Sequence, residues 1–185
     1  MESVQESATG ASQPIVLDGH NITIAQVEEI SRGRQAALHP RVPEMCRASR
    51  RVVEQVIEHK EVAYGINTGF GRLANKHINA EQLQQLQRNL IISHSSGLGD
   101  YVSDEVVRAM IGLRVNALAN GFSGARVELL QALLDMLNHG IAPRVPSHGS
   151  VGASGDLAPL AHMALGLLGE GEVSWRGKIV PAAEA

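Results

Sequence analysis

The sequence predicts a mainly α-helical protein with a short β-hairpin near its end. Three observations carry that expectation. Apolar residues recur every three to four positions through most of the chain, the period of a helix face. Several of these stretches open on a capping residue and close near a glycine. Strand-like patterning is confined to short pieces, of which Val173-Ser174-Trp175 and Lys178-Ile179-Val180 around Arg176-Gly177 read as a hairpin.

In order, Met1–Gln13 is rich in Ser, Glu and Ala and reads as a disordered leader, with the folded part spanning 14–185. Ile15-Val16-Leu17 reads as a short strand before a turn at Asp18-Gly19. Thr23 is placed to cap a short helix, with Gln26 as its capping-box partner and Ile24, Val27 and Ile30 as its apolar stripe. Pro43 suits the first turn of a long helix over Val42–His59, whose expected buried face is Met45, Val52, Val53, Val56 and Ile57. Arg47, Arg50 and Arg51 read as a solvated face, with Glu54 and Glu58 as pairing candidates. Asn79 is expected to cap a helix from Ala80 to Ser93, with Leu83, Leu86, Leu90 and Ile91 inward and its glutamines outward. Ser103 opens the next helix, to Asn120, with Val106, Val107, Met110, Ile111, Leu113 and Leu118 as its apolar residues. Ala125–Asn138 reads as a further leucine-rich helix. The last runs from after Asp156 to Leu168.

The bulk numbers exclude several classes. The chain has 185 residues and 44% hydrophobic content, enough for a substantial core, yet only 3% are aromatic. Net charge is −3 and its 16 basic residues are dispersed, so nothing points to nucleic acid or a membrane surface. A single cysteine, Cys46, excludes an internal disulfide and suits a reducing cytoplasm. There is no signal-peptide pattern, and His139, His148 and His162 lack metal-ligand spacing, so no metal is assigned.

The stretch Gly149-Ser150-Val151-Gly152-Ala153-Ser154-Gly155-Asp156 stands apart. Glycine costs roughly 1 kcal/mol in a helix interior, so seven small residues in eight argue for a loop. The loop abuts the apolar run Leu157–Leu168, and a loop in such a setting has backbone groups to satisfy. In a tightly bent Ala153-Ser154-Gly155, the unshielded Gly155 nitrogen can attack the Ala153 carbonyl and close a five-membered ring. Loss of water from the ring and from Ser154 leaves a conjugated alkene, an electrophile that no ordinary side chain supplies. The same residues also read as a loop leading into a helix, with Ser154 or Asp156 as N-cap. A serine-hydrolase elbow and a phosphate-binding loop both fit poorly, because the serine spacing and the following Lys-Ser/Thr pair are missing.

Residues 149–163, Gly149 through Met163, closely resemble the signature of the aromatic amino acid ammonia-lyases. Two further stretches match in order: Tyr64-Gly65-Ile66-Asn67-Thr68-Gly69-Phe70-Gly71 and Asn89-Leu90-Ile91-Ile92-Ser93-His94-Ser95-Ser96-Gly97. The resemblance runs from about Ile15 to the last residue. It implies that Ala153-Ser154-Gly155 becomes methylidene-imidazolone (MIO), with no external cofactor, and that the fold is the helical N-terminal part of a longer lyase. It assigns Tyr64 as the base at the substrate's β-carbon, on a glycine-rich loop able to close as a lid. Asp156 assists ring formation or holds the loop.

Within the family, Ser93-His94 resembles the pair carried by histidine ammonia-lyases. Tyrosine lyases tend to have His-Leu there and phenylalanine lyases Phe-Leu. An imidazole at His94 can hydrogen-bond a substrate imidazole, which Phe cannot do. The implied reaction is non-oxidative deamination of L-histidine to urocanate and ammonia, in a cytoplasmic homotetramer. The residues holding the substrate carboxylate belong to later parts of the family's length. The alternatives are a tyrosine or phenylalanine ammonia-lyase or aminomutase, or an inactive helical fragment that carries the signature without forming the ring.

Overall fold

The computed structural model describes residues 13–68, 78, 80–150 and 157–185. Residues 1–12 of the expected leader, the Asn79 cap, the Gly69–Gly71 half of the glycine-rich loop, and Ala153, Ser154, Gly155 and Asp156 all lie outside the described residues. The fold is mainly α-helical, as expected, with six helices and seven short strands among the described residues.

The N-terminal unit forms as its local chemistry dictates. β1 (Ile15–Leu17) leads into a turn where the Asp18 carboxylate accepts from the backbone N–H groups of His20 and Asn21, both at 2.9 Å. Those bonds, with one from the Asn21 side chain, hold Asp18 well below the usual carboxylate range. α1 (Ile24–Ser31) begins at Thr23, whose hydroxyl accepts from Gln26 N–H while the Gln26 side chain accepts from Thr23 N–H, the expected capping box. The chain then returns as β2 (Ala36–Leu38), parallel to β1 with Ile15 opposite Ala36.

α2 (Val42–Glu58) carries Pro43 in its first turn and an Arg50–Glu54 ion pair at 3.0 Å. α4 (Asp104–Leu118) and α5 (Val127–Asn138) form the centre of the core. Val107, Ile111 and Val115 from α4 and Leu130, Leu133, Leu134 and Leu137 from α5 are buried with Leu17, Ile30 and Val42. Cys46 joins the same core, and burial pushes its thiol pKa up, away from nucleophilic chemistry.

Polar clamps fix the N-terminal unit to this core. The Asn138 side chain bonds both backbone groups of Ala36, accepting from its N–H and donating to its carbonyl, each at 2.9 Å. Asn116 accepts from Gly19 N–H and Asn120 donates to Gly19 O. The Arg108 guanidinium donates to Ile30 O at 3.2 Å and Leu137 O at 2.9 Å. Both carbonyls also accept backbone N–H groups, from Gly33 and Gly140, so Arg108 adds a charged donor at the C-terminal ends of α1 and α5, where a cation is favoured. Burial lowers its pKa.

Two small sheets complete the frame. β3 (Leu98–Tyr101) pairs antiparallel with β5 (Pro146–His148). β4 (Ala142–Pro143) pairs with β6 (Glu172–Trp175), which forms the expected hairpin with β7 (Lys178–Pro181). α3 (Ala80–His94) packs against α6 (Leu157–Leu167).

Several face assignments are corrected. Ile24 is 90% exposed, and Val52, Val106 and Leu113 are exposed as well. α1 and α2 bury narrower stripes than the apolar patterning alone suggests, and α4, though packed against α1, α5 and β4, leaves Val106 and Leu113 outside those contacts. β2, β3, β4 and β5 carry no strand patterning of their own; they exist because a partner segment satisfies their backbone groups.

Replacing Asn138 with Ala leaves the N–H and carbonyl of Ala36 without their partners. Asn138→Ala should cost about 1–3 kcal/mol, read as a lower urea midpoint at unchanged slope.

Candidate active site at the loop between β5 and α6

The loop that the sequence singles out is bounded by two anchored elements. β5 delivers the chain to Gly149, and α6 takes it up at Leu157. One continuous segment holds both ends: α3 packs on α6, and β3, which follows α3 after a few residues, pairs with β5. The approach is close enough to need glycine. A Cβ on Gly149 would stand 2.8 Å from Ala158 Cβ and 3.3 Å from Gly97 Cα. A Cβ on Gly97 would stand 3.0 Å from Pro146 Cβ. Glycine at both positions lets the segments at Gly97, Gly149 and Ala158 approach one another closely.

Ser93 and His94 occupy the last turn of α3, at the same end of the arrangement. His94 Nδ1 lies 2.8 Å from Leu90 O, one turn back. A carbonyl oxygen only accepts, so this geometry places a proton on Nδ1. In the neutral ring, Nε2 is then an acceptor. The ring is half-buried. Ser93 Oγ donates to Leu90 O at 3.0 Å and lies 3.2 Å from His94 Nδ1, bracketing the ring from the side.

His162 is a residue that sequence reasoning passed over. It projects from the second turn of α6, and its Nε2 accepts from Gly97 N–H at 3.1 Å. That role requires a neutral imidazole with its proton on Nδ1, and burial pulls the pKa of His162 below its ordinary value, favouring that form. The available signal was a single polar side chain within Leu157-Ala158-Pro159-Leu160-Ala161-His162-Met163, where it must find a partner.

Tyr64 sits on the loop after α2 and is 66% exposed. The described half of this loop is cinched by Asn67, which is buried. Asn67 Oδ1 accepts from Ala63 N–H at 3.0 Å and its Nδ2 donates to Glu61 O at 2.7 Å. Asn67 O accepts from Ile78 N–H at 2.8 Å, tying the loop to the start of α3. Ser93 and His94 lie at the other end of that helix, roughly 20 Å away along its axis. The structure thus brings Ser93 and His94 to the anchored ends of the 149–156 loop and anchors the Tyr64 loop one helix length from them.

The site suits a ring closed from residues 153–155 in one testable respect: the chain on either side is clamped at close range, as a strained backbone requires. Among the described residues, no group of three or more His, Cys, Asp or Glu could hold a metal ion. No helix there is long and apolar enough to cross a membrane.

Two outcomes follow from this geometry. Gly149→Ala forces Ala158 or the backbone at Gly97 to move and should cost about 1–3 kcal/mol, seen as a lower melting temperature. For His162, the native state favours the neutral ring, so its contribution is complete above the ordinary histidine pKa of 6.5 and declines as pH falls through and below that value. The stability difference between wild type and His162→Gln should therefore shrink on acidification from about pH 8 to about pH 5, measured by urea melts across that range.

The aromatic amino acid lyase family model matches residues 22–185. A histidine ammonia-lyase of Shewanella pealeana is 48% identical over 171 residues, which is 92% of this chain and 34% of that relative. The crystal structure of histidine ammonia-lyase from Trypanosoma cruzi superposes with a TM-score of 0.85 at 36% identity, covering 93% of this chain and 33% of that one. The ergothioneine-degrading enzyme ergothionase of Treponema denticola superposes with a TM-score of 0.90 at 31% identity, covering 93% and 35%. The chain therefore spans about a third of the length of the relatives it matches, and over that span it belongs to the aromatic amino acid lyase family.

Proposed function

We propose that this chain carries the electrophile loop and the substrate-recognition pair of a histidine ammonia-lyase, which converts L-histidine to urocanate and ammonia without oxidation. The observation that best supports histidine is the hydrogen bond from His94 Nδ1 to Leu90 O. With its proton held there, neutral His94 offers Nε2 to an N–H donor, which a substrate imidazole has and a phenyl ring lacks. A phenol could also donate, so the identities to histidine ammonia-lyases add independent weight.

The roles divide as follows. Ser93 holds the His94 ring and His94 receives the substrate imidazole. Tyr64 takes the β-proton, brought to the substrate by its loop. Asp156 assists closure of the ring or holds the loop. Ala153, Ser154 and Gly155 form methylidene-imidazolone, which supplies an electrophilic alkene for activating the substrate amine. The close approach at Gly149 and the packing of α6 on α3 hold the two flanks in place against relaxation. In this reading the working enzyme is a cytoplasmic homotetramer needing no external cofactor.

The test is a deamination assay on the protein as its gene encodes it, with histidine, tyrosine, phenylalanine and ergothioneine. Urocanate should form from histidine in clear preference to products from the others. Ser154→Ala should fall to background. His94→Phe should lower kcat/KM for histidine by about 5- to 30-fold, the loss of about one to two kcal/mol of hydrogen bonding. Equal or better turnover of tyrosine, phenylalanine or ergothioneine would overturn the histidine assignment.

A further inference from the structure

Gly97 lies three residues beyond His94, and its N–H donates to His162 Nε2 at 3.1 Å across a separation of 65 residues. His162 lies five residues after Leu157, where α6 takes up the chain from the electrophile loop. This bond therefore joins the segment leaving the recognition pair to the helix leaving the loop. It sits where tolerance is least. Gly97 is wedged by Pro146 and by the carbonyl of His148 on β5, and Gly149 faces both Gly97 and Ala158. A shift of Gly97 would carry the end of α3 with it, since Ser95 N–H and Ser95 Oγ both bond Ile91 O.

Imidazole suits this position for a specific reason. The acceptor must reach from a helix across to a backbone N–H, and the ring is rigid once its first two torsions are set. Hydrogen-bond acceptance at Nε2 by a half-buried neutral ring fixes direction as well as distance. An apolar residue of the same volume would fill the space but leave the Gly97 N–H without its acceptor.

We propose that His162 is a positioning residue for substrate recognition: by accepting the Gly97 N–H it sets the distance between the Ser93–His94 pair and the start of α6 at Leu157. The role rests on the reading of His94 as the imidazole-recognising residue. His162 acts through Gly97 and the end of α3, without contact to substrate.

The experiment compares wild type, His162→Phe and His162→Gln as full gene products in steady-state deamination of histidine. Phe keeps a ring without an acceptor, whereas the Gln Oε1 sits near the reach of Nε2. His162→Phe should raise KM for histidine about tenfold, one lost hydrogen bond, with kcat changed far less. His162→Gln should return KM to within about threefold of wild type. A structural role alone would lower kcat through loss of folded enzyme at unchanged KM, and that result would overturn the proposal. Equal KM increases in both variants would overturn it as well. An inactive wild type would remove the functional reading on which the role rests, whereas an active wild type with unmoved KM in both variants would overturn this inference alone. Should His162→Phe fail to fold, hydrogen exchange at the Gly97 amide decides. Protection in wild type and in His162→Gln is expected, and exchange at the rate of an open amide in wild type would contradict the bond.

Discussion

Everything at the site depends on clamping a loop of small residues at both ends. Gly149-Ser150-Val151-Gly152-Ala153-Ser154-Gly155-Asp156 has almost no side chains with which to hold itself. Its shape must come from outside. One segment provides it: α3 against α6 on one side and β3 against β5 on the other. That segment also carries Ser93 and His94. The element that confines the proposed electrophile is thus the element that presents the recognition pair, so the two are set in register by one set of contacts.

The rest of the molecule makes that clamp rigid. α4 and α5 bury a leucine- and valine-rich core against α1 and the β1–β2 pair. Asn138, Asn116 and Arg108 then tie backbone groups at the element ends into it. Such groups are costly to leave unsatisfied in a buried setting. A rigid surround of this kind is what a strained backbone needs, since strain persists only where neighbouring structure over-determines it.

Much of this was legible in the sequence. The capping box at Thr23 and Gln26, Pro43 in the first turn of α2, the Ser103 cap and the 172–181 hairpin all follow from local chemistry, and all are present. Residues whose environment is set by distant partners were not legible. β3 and β5 contain glycine, proline and charged or polar residues, and their pairing shows only in the fold, where each meets the other's backbone groups. His162 stood out only as the one polar residue of an apolar run, and its partner, a backbone N–H 65 residues away, was not legible. Ile24, Val106 and Leu113 fit a helix stripe by spacing, yet they point outward because spacing alone does not tell how wide a face the neighbour covers. Of the candidate site residues, Tyr64, Ser93 and His94 were picked out by the family resemblance and not by residue pattern, and the hydrogen-bonding of His94 became readable only with Leu90 O in place.

The central claim is that the loop between β5 and α6 closes on itself to make an electrophile. The most direct measurement is the mass of the tryptic peptide Val145–Arg176 from the protein as its gene encodes it. The account predicts a mass lower by two waters than the sequence requires, restored to the unmodified value of the altered sequence in Ser154→Ala. An unmodified wild-type peptide from folded protein would contradict it.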